Sequence, residues 1–180
     1  MDVINLSMGW PVATDKPVLR EAFRRAHAAG IIIVAAAGNN SHRLPILPCS
    51  YLDVLCVGAM APDGWPTSFS NNSGFVDGVA PGEKILSLFP STGRLHPMEF
   101  AGEGYEYMSG TSQASPYVAA MAAILRGMYP QASVHEIWGR LFAAQVPLSH
   151  VPSSSEVFPM LRDKYFQGGL FRLNGLLKPS

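Results

Sequence analysis

The sequence predicts an α/β domain with a mostly parallel sheet, and three observations predict it. Residues 31 to 37 form an unbroken apolar run, Ile31 to Ala37, of the kind expected for a parallel strand covered on both faces by helices. A less continuous apolar run, Asp2 to Met8, lies upstream, and the amphipathic helical pattern between the two makes a right-handed βαβ unit. Beyond them, Tyr117 to Leu125 carries no charge. A helix apolar all round is normally buried, and this one is too short to span a bilayer. The chain has 180 residues, 48% of them hydrophobic, which suits one domain with a sizeable core.

Taken in order, the Asp2 to Met8 strand ends at Gly9 and Pro11. Thr14 or Asp15 then caps a helix with Pro17 in its first turn. Leu19, Phe23, Ala26 and Ala29 or Gly30 share one face, and Gly30 is the stop. Arg20, Arg24 and Arg25 take the opposite, solvated side. Gly38-Asn39-Asn40 follows the Ile31 to Ala37 strand at its carboxyl end, the edge where open α/β sheets place their ligands. Taken alone, such asparagines are more often turn formers.

Residues 41 to 52 read as a loop containing Pro45 and Pro48, and Val54 to Met60 as a third buried strand. Phe69 to Gly74 is rich in turn residues, and residues 90 to 104 read as a loop. Tyr105 to Met108 is a strand delivering the next turn. Ser133 caps a second amphipathic helix reaching about Gln145, with Val134, Ile137, Trp138 and Leu141 on one face. Residues 147 to 156 are polar and proline-rich. His135 and His150 read as surface or packing residues.

Composition excludes several classes. Thirteen basic residues balance thirteen acidic ones, so no basic field invites nucleic acid. Met1 to Trp10 lacks the basic region and apolar core of a signal peptide, and no membrane span is expected. Cys49 and Cys56 form no C-x-x-C pair and have no histidines at zinc spacing. Both read as free thiols, with a bridge between them as the alternative.

The chemistry concentrates in Met108 to Pro116. A Gly-Thr-Ser turn running into the uncharged helix leaves the Ser112 hydroxyl on a first turn, where unpaired N–H groups and the helix dipole favour negative charge. Pro116 is expected in that first turn, where its missing N–H costs nothing. The plain alternative is that Ser112 only caps the helix.

Gly110-Thr111-Ser112-x-Ala114-x-Pro116 resembles the nucleophile motif of the subtilisin-like serine proteases, usually G-T-S-M-A-x-P. Gln113 and Tyr117 depart from the usual methionine and histidine. Ala35-Ala36-Ala37-Gly38-Asn39 resembles the family segment whose asparagine amide helps form the oxyanion hole, and Ser7-Met8-Gly9 the segment that lines the substrate cleft. Phe69 to Gly74 and Ala80-Pro81-Gly82 match the family's S-F-S-x-x-G and A-P-G signatures. Residues 168 to 174 resemble its G-x-G ending.

The resemblance implies a three-layer α/β/α subtilisin-like fold lacking its first strands, with residues 1–180 as the carboxyl part of a catalytic domain. It implies Ser112 as nucleophile, Asn39 as oxyanion donor, and Ser7, Met8, Gly9, Ala36, Ala37 and Gly38 as substrate-binding residues. It also implies a cis bond before Pro48, and a small residue where Trp10 stands. No cofactor is implied; the family allows calcium, for which the sequence offers no site. Family members are often secreted.

The family's D-[ST]-G and H-G-[TS] motifs, which precede the nucleophile, are absent. The chain alone is therefore expected to be inactive, its aspartate and histidine supplied by an upstream segment or second chain, and its Asp2 to Leu6 strand an open edge. Two other readings stand beside this one. One is a catalytically dead or truncated relative acting by binding. The other is an α/β-hydrolase elbow at Ser112 with Glu136 and His150 as acid and base.

Overall fold

The computed structural model describes residues 1–72, 74–89, 100–102, 104–146 and 171. In chain order these give β1 (Val3–Leu6), β2 (Trp10–Pro11), a 3-10 turn (Val12–Thr14), α1 (Pro17–Ala28), β3 (Ile32–Ala36), β4 (Ile46–Leu47) and β5 (Leu55–Met60). They continue with β6 (Gly78–Pro81), β7 (Ile85–Leu88), β8 (Phe100–Gly102), β9 (Tyr105–Met108), α2 (Thr111–Met128) and α3 (Val134–Ala143). Four strands make a parallel sheet in the order β1-β3-β5-β6, with Val3 opposite Ile32 and Ala35 opposite Cys56. A second, antiparallel sheet runs β7-β9-β8, and β2 and β4 form a two-stranded antiparallel sheet.

The unbroken apolar run of β3 is explained by two cores. Ile32 and Val34 pack with Ala114, Val118, Met121 and Leu125 of α2 and with Ile137 and Leu141 of α3. Ile33 and Ala35 face the other way, with Phe23 and Ala26 of α1 against their cluster. Each strand residue thus meets a covered face, and the layers are helix, sheet, helix. Full burial of side chains such as Val118 or Leu125 contributes about 1.5–3 kcal/mol each.

Several expectations are corrected. The α1 helix starts at Pro17 with Lys16 at the cap position and no side-chain cap. Thr14 instead bonds the Pro11 carbonyl, and Asp15 accepts from the Tyr51 hydroxyl at 2.5 Å and from Arg20. Arg20 and Arg24 do lie on the solvated side, 65% and 61% exposed, and there they pair with Asp15 and Glu21. The α2 helix is buried on one side only. Tyr117, Ile124 and Met128 are 41%, 42% and 47% exposed, because only the Ala114, Val118, Met121, Ala122 and Leu125 face meets the sheet.

Cys49 and Cys56 are joined in a disulfide, their Cα atoms 4.8 Å apart, so neither is a free thiol. Chain reversal between β4 and β5 brings them together, a contact that spacing alone does not reveal. β8 falls inside the expected loop of residues 90 to 104, whose residues 90–99 lie outside those described. The peptide bond before Pro48 is cis. Among the described residues, β1 is an edge strand. Ser133 and Glu136 form a reciprocal capping box at the start of α3.

Candidate active site

Four segments converge on the first turn of α2. Gly110 precedes the helix without any side-chain cap, and its N–H donates to the Gly82 carbonyl at 2.8 Å. A Cβ on Gly82 would lie 2.6 Å from the Ala59 methyl and 2.9 Å from the Gly110 oxygen, so this close approach requires glycine. The A-P-G segment thus seats the Ser112 turn on the sheet.

Thr111, fully buried, fixes Asn39. Its N–H and its hydroxyl both donate to Asn39 Oδ1, each at 2.9 Å, while the hydroxyl accepts from the Gly38 N–H at 3.0 Å. With its oxygen held, the Asn39 amide orientation is set, and its Nδ2 has no partner among the described residues. That nitrogen lies over the helix start: a Cβ on Gly110 would be 3.1 Å from it.

The loop carrying Asn39 is held in turn by Asn71, which is buried. Asn71 Nδ2 donates to the Ala37 carbonyl at 2.8 Å, and its Oδ1 accepts from the N–H groups of Asn40 and His42, each at 3.0 Å. Gly38 has a φ of +96°, which disfavours any side chain, and a Cβ there would lie 2.5 Å from Asn71 Nδ2.

Ser112 is the second residue of α2, not its cap, and its hydroxyl donates to the Ser7 carbonyl at 3.2 Å. Pro116 lies beyond the first turn, contrary to expectation, so its missing N–H leaves the Ser112 carbonyl without its helical partner. Ser7 takes that place: its hydroxyl donates to the Ser112 carbonyl at 2.8 Å and lies 3.2 Å from the Ser115 hydroxyl. The exit of β1 is thereby pinned to the Ser112 turn.

The exits of β1 and β3 flank a groove. Ser7, Met8, Gly9 and Asn39 are exposed, Gly38 is half-buried, and Ala36 and Ala37 are buried in the sheet. A cleft of about 640 Å³ opens beside it, lined in part by Gly9, Trp10, Gly38, Asn40, His42 and Ile46. A second, of about 370 Å³, reaches Ser112 from the side of Met108, Pro116 and Tyr117. In the first turn of a helix, the Ser112 N–H has no intrahelical partner. Together with Asn39 Nδ2 it makes a pair of donors suited to a developing oxyanion.

Among the described residues, no histidine or carboxylate bonds the Ser112 hydroxyl. The rings of His27 and His135 pack on each other and on Trp138 between α1 and α3, with centroids 5.2–5.7 Å apart. Glu136 is spent in the capping box, which removes the acid of the α/β-hydrolase reading, and His150 lies outside the described residues. No group of three or more His, Cys, Asp or Glu side chains able to hold a metal occurs among the described residues. No helix described is long and apolar enough to cross a membrane. Sequence reasoning singled out neither Thr111 nor Asn71 as functional. The first lay inside the nucleophile motif, while the second was one turn former among several.

The model of the subtilase family, Peptidase_S8, matches residues 1–164, and the chain belongs to that family. Subtilisin DY from Bacillus licheniformis is 35% identical over 145 residues, which are 78% of this chain and 48% of that protein. An intracellular serine protease from Paenibacillus polymyxa is 36% identical, over 84% of this chain and 46% of its own length. A protease of Pseudoalteromonas arctica superposes with a TM-score of 0.79 at 25% identity, covering 98% of this chain and 50% of that one. The chain therefore spans about half the length of these three relatives.

Proposed function

We propose that this chain is the nucleophile-bearing part of a serine endopeptidase and that its substrate is a peptide or protein chain bound in extended form. The observation that carries the reading is the clamp of Asn39 Oδ1 by Thr111, which leaves Asn39 Nδ2 unused beside the Ser112 turn. In the proposed reaction Ser112 Oγ attacks the substrate carbonyl, its proton passing to a histidine base. Asn39 Nδ2 and the Ser112 N–H hold the resulting oxyanion. The C–N bond then breaks, the amine leaves with that proton, and water hydrolyses the acyl-serine. Ser7, Met8 and Gly9 on one rim and Ala36, Ala37 and Gly38 on the other bind the substrate backbone. No cofactor takes part.

The histidine and its aspartate come from a further segment, upstream in the same polypeptide or on a second chain. Its docking surface combines the open edge of β1 with the exposed Tyr117, Ile124 and Met128 face of α2. Without it, the 180-residue chain binds but does not cleave. The test is casein hydrolysis by the chain alone and with the amino-terminal half of a subtilisin supplied in cis. Activity is expected only in the second case and is lost in Ser112→Ala. Cleavage by the chain alone would overturn the need for an added segment, and activity surviving Ser112→Ala would overturn the nucleophile.

A further inference from the structure

We infer that Asn71 is a positioning residue for the proposed reaction: it fixes the backbone on both sides of Asn39 and so aims the Asn39 amide at the oxyanion. The inference rests on the proposed roles of Ser112 and Asn39. Among the described residues, neither the N–H nor the C=O of Asn39 itself makes a hydrogen bond. Its backbone is therefore placed by its neighbours, and Asn71 holds them on either side.

Before Asn39, the Asn71 N–H donates to the Gly38 carbonyl at 2.9 Å and Asn71 Nδ2 to the Ala37 carbonyl at 2.8 Å. After it, Asn71 Oδ1 accepts from the N–H groups of Asn40 and His42, both at 3.0 Å. Four hydrogen bonds from one residue thus bracket Asn39. They hold a loop that needs holding, since Gly38 has a φ of +96° and Ser41 one of +57°, a region that serine seldom occupies. Asn71 itself is 1% exposed and stands on a firm base. The hydroxyl of the adjacent Ser70 accepts from the Ala59 N–H of β5 at 3.1 Å, and the Thr67 N–H donates to the Ala59 carbonyl at 3.0 Å.

The direction of an amide is set by two points. Thr111 fixes the outer one by binding Asn39 Oδ1. Asn71 fixes the inner one, the Cα from which the side chain starts. With the inner point loose, Asn39 pivots about its oxygen and Nδ2 swings away from the oxyanion. A donor contributes to catalysis by being in place before the charge develops, so the loss falls on kcat.

The experiment measures kcat for peptide hydrolysis by the chain complemented in cis with a subtilisin amino-terminal half, in a cycle of Asn71→Asp, Asn39→Ala and both together. Asn71→Asp keeps the acceptor for Asn40 and His42 but sets a carboxylate oxygen against the Ala37 carbonyl. Asn71→Ser, smaller and uncharged, carries the test if circular dichroism shows the first variant unfolded. Asn71→Asp is expected to lower kcat about tenfold or more, as displacement of a catalytic group by about 1 Å does. In the Asn39→Ala background the same change should cost less than about twofold, because a residue that acts through Asn39 has nothing left there to position. Equal losses in the two backgrounds, or no loss in the first, would overturn the role of Asn71 alone. No hydrolysis by the complemented native chain, or an Asn39→Ala kcat equal to wild type, would overturn the reading on which the inference rests, and the inference with it.

Discussion

Asn39 holds its amide nitrogen ready by having its oxygen occupied. Thr111 does the holding, and its hydroxyl is also the acceptor for the buried side of Gly38. Thr111→Val should therefore cost more than a lost hydrogen bond, since the Gly38 N–H is left without a partner. About 1–3 kcal/mol of stability is expected to go, measured by urea unfolding of the chain. In the complemented enzyme, kcat should fall with KM nearly unchanged, because the amide keeps only the Thr111 N–H on its oxygen and this looser hold weakens transition-state contacts. Ser112 and Asn39 were legible as candidates because the roles proposed for them rest on local motifs. Thr111 and Asn71 were not, because what they do is set by contacts across 72 and about 30 residues of chain.

At the scale of elements, short periods explain most of what was missed. β3 and β5 announce themselves by continuous hydrophobicity, whereas β2 and β4 are two residues each and have no period to read. Pro116 shows the same limit: its place in the helix depends on where the first turn starts, and that is decided by Gly82 and Asn39. The start of β6 makes a separate prediction. Asp77 accepts from the Cys56 N–H at 2.7 Å, but burial dominates and pushes its pKa up to about 6. A carboxyl whose pKa is raised on folding binds its proton more tightly in the native state. Stability is thus greatest below about pH 4 for this group and declines as pH rises through about 6. Asp77→Asn keeps an acceptor for Cys56 and has no charge to bury. It should be more stable than wild type at pH 8, by up to about 2–3 kcal/mol, and the gain should vanish near pH 4. A gain independent of pH in urea unfolding would contradict the assignment.

For the whole molecule, the layered fold with the parallel sheet between helices was readable because the strand and helix patterns agree with one another. What the pattern could not show is that the central helix is covered on one side only. An apolar helix has the same sequence whether its second face meets another helix or water. That face and the unpaired edge of β1 make a surface with both hydrogen-bonding and hydrophobic demand. The 180-residue chain is expected to self-associate on size-exclusion chromatography and to bind a hydrophobic dye, and charged substitutions at Ile124 and Met128 should suppress both. A clean monomer without dye binding would argue that this surface is not a docking site.

The central claim is that Ser112 is a nucleophile assembled here and activated from outside the described residues. Its most direct test is fluorophosphonate labelling read by mass spectrometry on the peptide containing Ser112. The chain alone should remain unlabelled, since a serine hydroxyl without a base is a poor nucleophile at neutral pH. The chain complemented by a subtilisin amino-terminal half should carry the adduct on Ser112. Asn39→Ala should slow that labelling by about 10²–10³, the magnitude known for the corresponding donor in subtilisin itself. Rapid labelling of the chain alone, an adduct on another residue, or an Asn39→Ala rate equal to wild type would contradict the account.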